Sequence, residues 1–189
     1  RNSFVLASKV GRLLVPDPDR PQDVWSEDLP PIKAVFDYTY DGTMRSIEES
    51  LERLKLDRVD ILHIHDPDNH YDEAMNGSYK ALDKLRSEGV IKAIGAGMNQ
   101  AEMLARFARE GDFDCFLLAG RYTLIDHTGL KELLPICTEK HISIIVGGPY
   151  NSGILAMGAV EGATFNYSPA PPDIMDKVQR RRCPEKSHC

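Results

Sequence analysis

Apolar residues along this chain alternate between short continuous runs and helically spaced stripes. Phe4-Val5-Leu6-Ala7-Ser8-Lys9-Val10 is a mostly apolar run stopped by Gly11, the pattern of a buried strand. Met44, Ile47, Leu51 and Leu54 then recur at helical spacing. Thr43 or Asp41 is a candidate cap for that helix, and Ser46 with Glu49 has capping-box spacing slightly further in. Val59-Asp60-Ile61-Leu62-His63-Ile64-His65 predicts the next strand, ended by Asp66-Pro67, and Tyr79, Leu82 and Leu85 mark a helix that Gly89 stops. The alternation continues with a strand from Val90 to Gly97, a helix from Gln100 to Glu110 and a strand from Cys115 to Ala119. A helix from Leu130 to Lys140 and a strand from Ile142 to Val146, running into Gly147-Gly148-Pro149, complete it.

Near-continuous apolar strands separated by amphipathic helices predict an α/β fold with parallel pairing and both sheet faces covered. Right-handed crossovers leave two solutions, an open doubly wound sheet or a (β/α)8 barrel. The first strand carries no Gly-x-Gly-x-x-Gly into a helix, so a Rossmann nucleotide site is unsupported. Two regions break the rhythm. Residues 12–42 form a long connection rich in proline, leaving the strand end at which barrel enzymes place substrates. The stretch from Val178 to Cys189 is basic, through Arg180-Arg181-Arg182 and Lys186, and lacks apolar periodicity, so a disordered tail is expected there.

Composition narrows the partners. With 42% hydrophobic and 28% charged residues the chain is ordinary for a globular protein, and a net charge of −6 argues against nucleic acid or an anionic membrane surface. No apolar run approaches the roughly 18 residues of a spanning helix, and no signal peptide follows Arg1. The four cysteines, at 115, 137, 183 and 189, form no close-spaced framework. Cys115 and Cys137 read as buried free thiols, and Cys183, His188 and Cys189 as a polar tail in which no metal is expected. A reducing, cytoplasmic compartment follows as the expectation. So does a first residue that is not a natural start, with sequence missing at both ends.

Three places could carry chemistry. Lys9, near a strand end among apolar residues, is either a side chain reaching water or a positive charge held in a barrel mouth. His63 and His65 project to one face of their strand. They could bind a metal with Asp66 and His70, as in a metal-dependent barrel hydrolase. Alternatively His65 alone meets substrate while His63 packs one layer deeper, or both are satisfied core residues. Asn99 follows glycines 95 and 97, where backbone can approach a ligand, yet it is also placed to cap the next helix, with Glu102 at capping-box spacing.

Taken together, Ala7-Ser8-Lys9-Val10, the Ser46 to Leu54 helix, the Val59 to His65 strand and Gly89-Val90-Ile91-Lys92-Ala93-Ile94-Gly95 resemble the aldo/keto reductase family, in its order and at its spacing, over about residues 4–177. His65-Asp66-Pro67-Asp68, Gly97-Met98-Asn99-Gln100, Ala119-Gly120-Arg121-Tyr122-Thr123-Leu124 and Asn151-Ser152-Gly153-Ile154-Leu155-Ala156 are most similar to its aldose, L-fucose, L-galactose and pyridoxal dehydrogenases. The resemblance implies a partial (β/α)8 barrel over residues 1–177, strands three to seven of eight by analogy, and a divergent tail over 178–189. It implies NAD or NADP and hydride transfer to or from a small substrate, a sugar or pyridoxal. Lys9 matches the lysine that lowers the pKa of the family's tyrosine, and His65 the histidine that positions the substrate oxygen. Asn99, with Met98 beside it, matches the carboxamide-binding asparagine. Gly147 stands where many members stack a tyrosine on the nicotinamide, Ala119 where many place a glutamine, and Asn151-Ser152-Gly153 follow along the cofactor. The family's aspartate and tyrosine match nothing here, Tyr38, Tyr40 and Tyr122 included, and neither does its phosphate loop. An isolated chain that folds poorly and is inactive is the expectation, with a non-catalytic relative as the alternative.

Overall fold

The computed structural model describes residues 3–19 and 30–181. They divide into two compact units, one of the described residues up to Gly97 with Gly111–Cys115, the other of Met98–Glu110 with the described residues from Phe116 onward.

In the first unit, β1 (Ala7–Val10) starts later than its apolar run suggests. Leu6 already gives its N–H to the Asp60 carboxylate at 2.9 Å instead of to a ladder, and Phe4 and Val5 are exposed. The long connection is not wholly irregular, as the sequence had suggested. It contains β2 (Arg12–Pro16) paired antiparallel with β3 (Ile32–Phe36), Arg12 facing Phe36 and Pro16 facing Ile32. Beyond Pro16 the Asp17 N–H still donates to the Pro31 carbonyl at 2.7 Å, but Pro31 has no N–H to return the bond.

Helix α1 (Tyr40–Leu54) is capped by Thr39, whose hydroxyl accepts from the Gly42 N–H at 3.0 Å. Neither Thr43 nor Asp41 caps it: Thr43 is buried inside the first turns, its hydroxyl 2.7 Å from that of Ser78. β4 (Ile61–His65) runs parallel to β1 on one side, with Lys9 opposite His63. On the other side it runs parallel to β5 (Ala93–Met98), with His65 opposite Gly97. The period of two sends Leu62 and Ile64 into the core and both histidines to the other face.

Between β4 and β5 the helical run begins ahead of the Tyr79 stripe, as α2 (Tyr71–Glu73), a π-helical turn (Ala74–Ser78) and α3 (Tyr79–Ser87). Gly77 in that turn faces the Tyr38 carbonyl so closely that a Cβ would lie 2.2 Å from it. The missing side chain therefore lets the helix pass close to the chain just beyond β3. Beyond α3, Gly89 takes the left-handed conformation expected of a helix stop.

The second unit holds α4 (Ala101–Glu110), β6 (Cys115–Ala119) from Phe116 onward, α5 (Leu133–Glu139) and β7 (Ser143–Gly147), with β6 beside β7. A 3-10 turn over Thr128–Leu130 delays α5 past Leu130. After β7 come α6 (Ile154–Met157), a hairpin of β8 (Thr164–Phe165) and β9 (Ser168–Pro169), and α7 (Pro172–Arg181). Helix α7 buries Ile174 and Val178 against Ile125, Ile154 and Ala163, so the boundary expected at Val178 falls inside an ordered helix. Residues 182–189, with Cys183, His188 and Cys189, lie outside the described residues. Cys115 and Cys137 are both buried free thiols. Among the described residues no helix is long and apolar enough to cross a membrane.

Candidate active site

The first unit gathers five side chains at the C-terminal ends of β1 and β4. Parallel pairing brings Lys9 and His65 to adjacent strand ends, and the Lys9 ammonium lies 3.4 Å from His65 Nε2. Asp66 follows in the left-handed region (φ 45°), a conformation Asp tolerates better than most residues. Its N–H donates to the Gly97 carbonyl at 3.0 Å, and its Oδ2 lies 3.2 Å from His65 Nε2. Arg12, from the start of β2, donates to the same Oδ2 at 2.6 Å and lies over the Phe36 ring, 5.1 Å from its centroid.

Tyr38 closes the group from beneath. Its ring is buried and its hydroxyl donates to the carbonyls of His65 (2.6 Å) and Asp66 (2.9 Å). Gly11 allows this approach: its φ of 101° suits glycine, and a Cβ there would lie 2.3 Å from the tyrosine ring. Burial raises the Tyr38 pKa, as do the nearby carboxylates, with Arg12 opposing them. A phenol held this firmly protonated, with its proton already given to two carbonyls, is unsuited to the part of a general acid with lowered pKa.

His65 is half-buried. Its pKa is pulled down to about 4, first by burial, then by Lys9, with Asp66 opposing and Arg12 adding slightly, so the ring is neutral at pH 7. His63, two residues earlier, is buried beneath, its Nε2 3.6 Å from the Cys115 sulfur. Burial lowers its pKa against a raising bond to the Ser8 backbone, and it occupies the deeper, packed position. His70 pairs with Glu73 at 2.8 Å and stacks near Phe36 and Tyr38. Among the described residues no three His, Cys, Asp or Glu side chains are grouped to hold a metal ion.

In the second unit Met98 is buried and Asn99 half-buried at the end of β5. Beside Gly147, Leu117 and Ala119 fill the space a side chain would take, with a Cβ 3.0 Å from Leu117. Asn151 is 3% exposed. Its amide donates to the Gly120 carbonyl at 3.1 Å, while its buried Oδ1 finds no partner among the described residues. Ser152 Oγ accepts from the Tyr167 N–H at 3.2 Å, leaving the hydroxyl proton to donate. Gly153 (φ 91°) turns the chain into α6. Arg121 braces the neighbouring loops through Asp126 (3.4 Å) and Asn166 (3.2 Å). An apolar cleft of about 590 Å³ opens beside them, lined by Tyr122, Leu124, His127, Leu130, Tyr150 and Leu155. An orphaned buried acceptor next to a free hydroxyl donor suits the amide and hydroxyl groups of a nicotinamide nucleotide.

Arg12 and Tyr38 escape a reading of the sequence as site residues. Their only signals are a charge immediately after the strand-ending Gly11 and an aromatic immediately before a helix cap, neither of which points to a strand distant in the chain.

The family described as Aldo/keto reductase family matches residues 1–187. Among curated relatives, a D-threo-aldose 1-dehydrogenase from a Pseudomonas species is 39% identical over 95% of this chain and 57% of its own. A pyridoxal 4-dehydrogenase from Microbacterium luteolum is 36% identical over 93% of this chain and 57% of its own. The chain thus spans little more than half the length of these relatives. Among solved structures, the holo form of an aldo-keto reductase from Bacillus halodurans overlays with a TM-score of 0.62 at 20% identity, over 89% of this chain and 51% of that one. This likeness shows the fold, an α/β chain with parallel strands that matches about half of a (β/α)8 barrel.

Proposed function

The chain belongs to the aldo/keto reductase family of oxidoreductases, and from that premise we propose that it forms part of an NAD(P)-dependent dehydrogenase for an aldose, of the L-fucose or D-threo type, or for pyridoxal. The observation that carries the reading is the meeting of Lys9 and His65 at 3.4 Å on adjacent strand ends, with the imidazole held neutral. The names of the 39% and 36% identical relatives supply the substrate class. When bound, the nicotinamide supplies or accepts the hydride. Neutral His65 donates a hydrogen bond to the substrate oxygen, and the Lys9 cation favours the ionised form of a phenol brought beside it. Asn99 and Asn151 would hold amide and hydroxyl groups of the cofactor, Ser152 would donate to it, Gly147 and Gly153 would let backbone come close to it, and Met98 would pack against it.

The test is an assay of the longest open reading frame that contains these residues, using NAD and NADP with L-fucose, other aldoses and pyridoxal. Reduction of one nucleotide by one of these substrates is expected. His65→Gln and Lys9→Met should each lower kcat by about 10²-fold or more. The 189-residue chain alone should give no turnover, because no residue in it matches the family's tyrosine. Turnover that survives both substitutions within about threefold would refute the assignment.

A further inference from the structure

The Arg12 guanidinium stands beside the imidazole of His65 with donors to spare. Among the described residues it gives one hydrogen bond, from Nη2 to Asp66 Oδ2 at 2.6 Å, and its Nε has no partner. The Asp66 carboxylate is contacted among them at Oδ2 alone, which leaves Oδ1 as an acceptor. The two side chains are 35% and 37% exposed, so a small ligand can reach both head groups.

An arginine this exposed is ordinarily free to swing, but this one is seated. Antiparallel register puts Arg12 opposite Phe36 on the β2–β3 ribbon, and the guanidinium lies 5.1 Å from the centre of that ring. Phe36 in turn lies 6.0 Å from the Tyr38 ring and 5.4 Å from that of His70. A planar fork held in place loses little freedom for each further hydrogen bond it makes. Asp66 Oδ2 links it to the reacting centre, being 2.6 Å from Nη2 and 3.2 Å from His65 Nε2. A substrate whose reacting oxygen meets His65 therefore presents the substituent on its neighbouring carbon to Arg12 and Asp66. The pair sets donors beside an acceptor, the combination that a hydroxyl group satisfies because it donates and accepts at once. A methylene in that place would leave charged donors facing an apolar group. Pyridoxal would bring an acidic phenol there, whose ionised oxygen only accepts and is opposed by the carboxylate.

We propose that Arg12, seated on Phe36 and paired with Asp66, is the specificity-determining residue of this site and selects an aldose by the hydroxyl on the carbon next to the reacting one. The assignment rests on the dehydrogenase reading above and narrows its substrate from an aldose or pyridoxal to a 2-hydroxy aldose.

The experiment measures kcat/KM in the longest open reading frame that contains these residues, for L-fucose and other aldoses, for their 2-deoxy analogues and for pyridoxal. The parent should prefer each aldose to its 2-deoxy analogue by about 10²-fold. Arg12→Met should bring that ratio to within about threefold of one. Arg12→Lys, which keeps the charge without the fork, should recover part of it. Phe36→Ala, at an exposed position, should reduce the ratio by about tenfold by unseating the guanidinium. The ratio of two substrates on one protein sample cancels the fraction folded, so a poorly folded variant does not imitate the result. Where Arg12→Met leaves no measurable turnover, the Arg12→Lys and Phe36→Ala ratios decide. An arginine that only braces the turn at Asp66 would lower both sugars together, and a ratio held at the parent value in these variants overturns the proposal. A parent that oxidises the 2-deoxy sugars equally well, or pyridoxal and no aldose, also overturns it while leaving the dehydrogenase reading in place. Turnover of none of these substrates refutes that reading and the proposal with it.

Discussion

Replacing Tyr38 with phenylalanine isolates a single hydroxyl. The ring stays, so its apolar burial, its stacking on Phe36 at 6.0 Å and its contact with Gly11 are retained. What is lost is the donor that joins the His65 and Asp66 carbonyls at 2.6 and 2.9 Å. A neutral hydrogen bond contributes about 1 kcal/mol net, and leaving a buried acceptor unpaired costs about 1–3 kcal/mol. One hydroxyl proton serves two carbonyls here, and one of them can recover a water, so about 2 kcal/mol is expected. With a urea slope of about 2 kcal/mol per molar, the unfolding midpoint should fall by about 1 M. The assay is urea unfolding followed by far-UV circular dichroism of the longest open reading frame that contains these residues, parent against Tyr38→Phe, with equal slopes required so that the midpoint alone reports stability. The backbone amides of Asp66 and Gly97 should shift as well, since the Tyr38 hydroxyl is what pins their turn. A midpoint within about 0.2 M of the parent would refute the reasoning. It would mean that the turn at Asp66 stands without this hydroxyl, and that the site is organised by Arg12 alone.

Two further outcomes follow from the first unit. His65 has a folded pKa of about 4 against 6.5 unfolded, so protons bind the unfolded chain more readily and stability should fall as the pH drops from about 6.5 toward 4. Asp60, lowered by its bond to the Leu6 N–H and by Lys92, stabilises above the unfolded value of 3.8, and this contribution is lost as the pH falls below it. Urea midpoints across pH should therefore show two acid limbs: His65→Gln removes the upper and Asp60→Asn the lower, and a profile unchanged by either contradicts the assignment. Gly95→Ala should destabilise by about 1–3 kcal/mol, because its Cβ would lie 2.4 Å from the Cys115 carbonyl and 2.7 Å from the His63 ring. An unchanged thermal midpoint would show that this layer has slack.

How much of this was legible depended on range. Strand β6 from Cys115 to Ala119 and the helix at 101–110 appear nearly where the apolar periods place them, because period is a local property of burial. The β2–β3 ribbon was missed because its two strands are separated by residues that carry no apolar pattern, and pairing between them is not a local property. Helix α7 was extended past Val178 by burial against Ile125 and Ile154, although the basic composition around it argues for a tail.

The sequence by itself determined that strands and helices alternate, that His63 and His65 share a face, and that Lys9 and His65 stand at strand ends. Each of these follows from period and from where glycine and proline stop an element. Only the tertiary structure decided that Lys9 lies beside His65, that His63 is buried against Cys115, and that Arg12, Tyr38 and Asp66 close around the imidazole. Strand register and the turn at Asp66 set those distances, and both depend on hydrogen bonds between residues far apart in the chain. Asp66 at 3.2 Å and Lys9 at 3.4 Å act on the His65 ring through energies that fall off with distance, so the chemistry of His65 is decided by the fold that brings its neighbours to it.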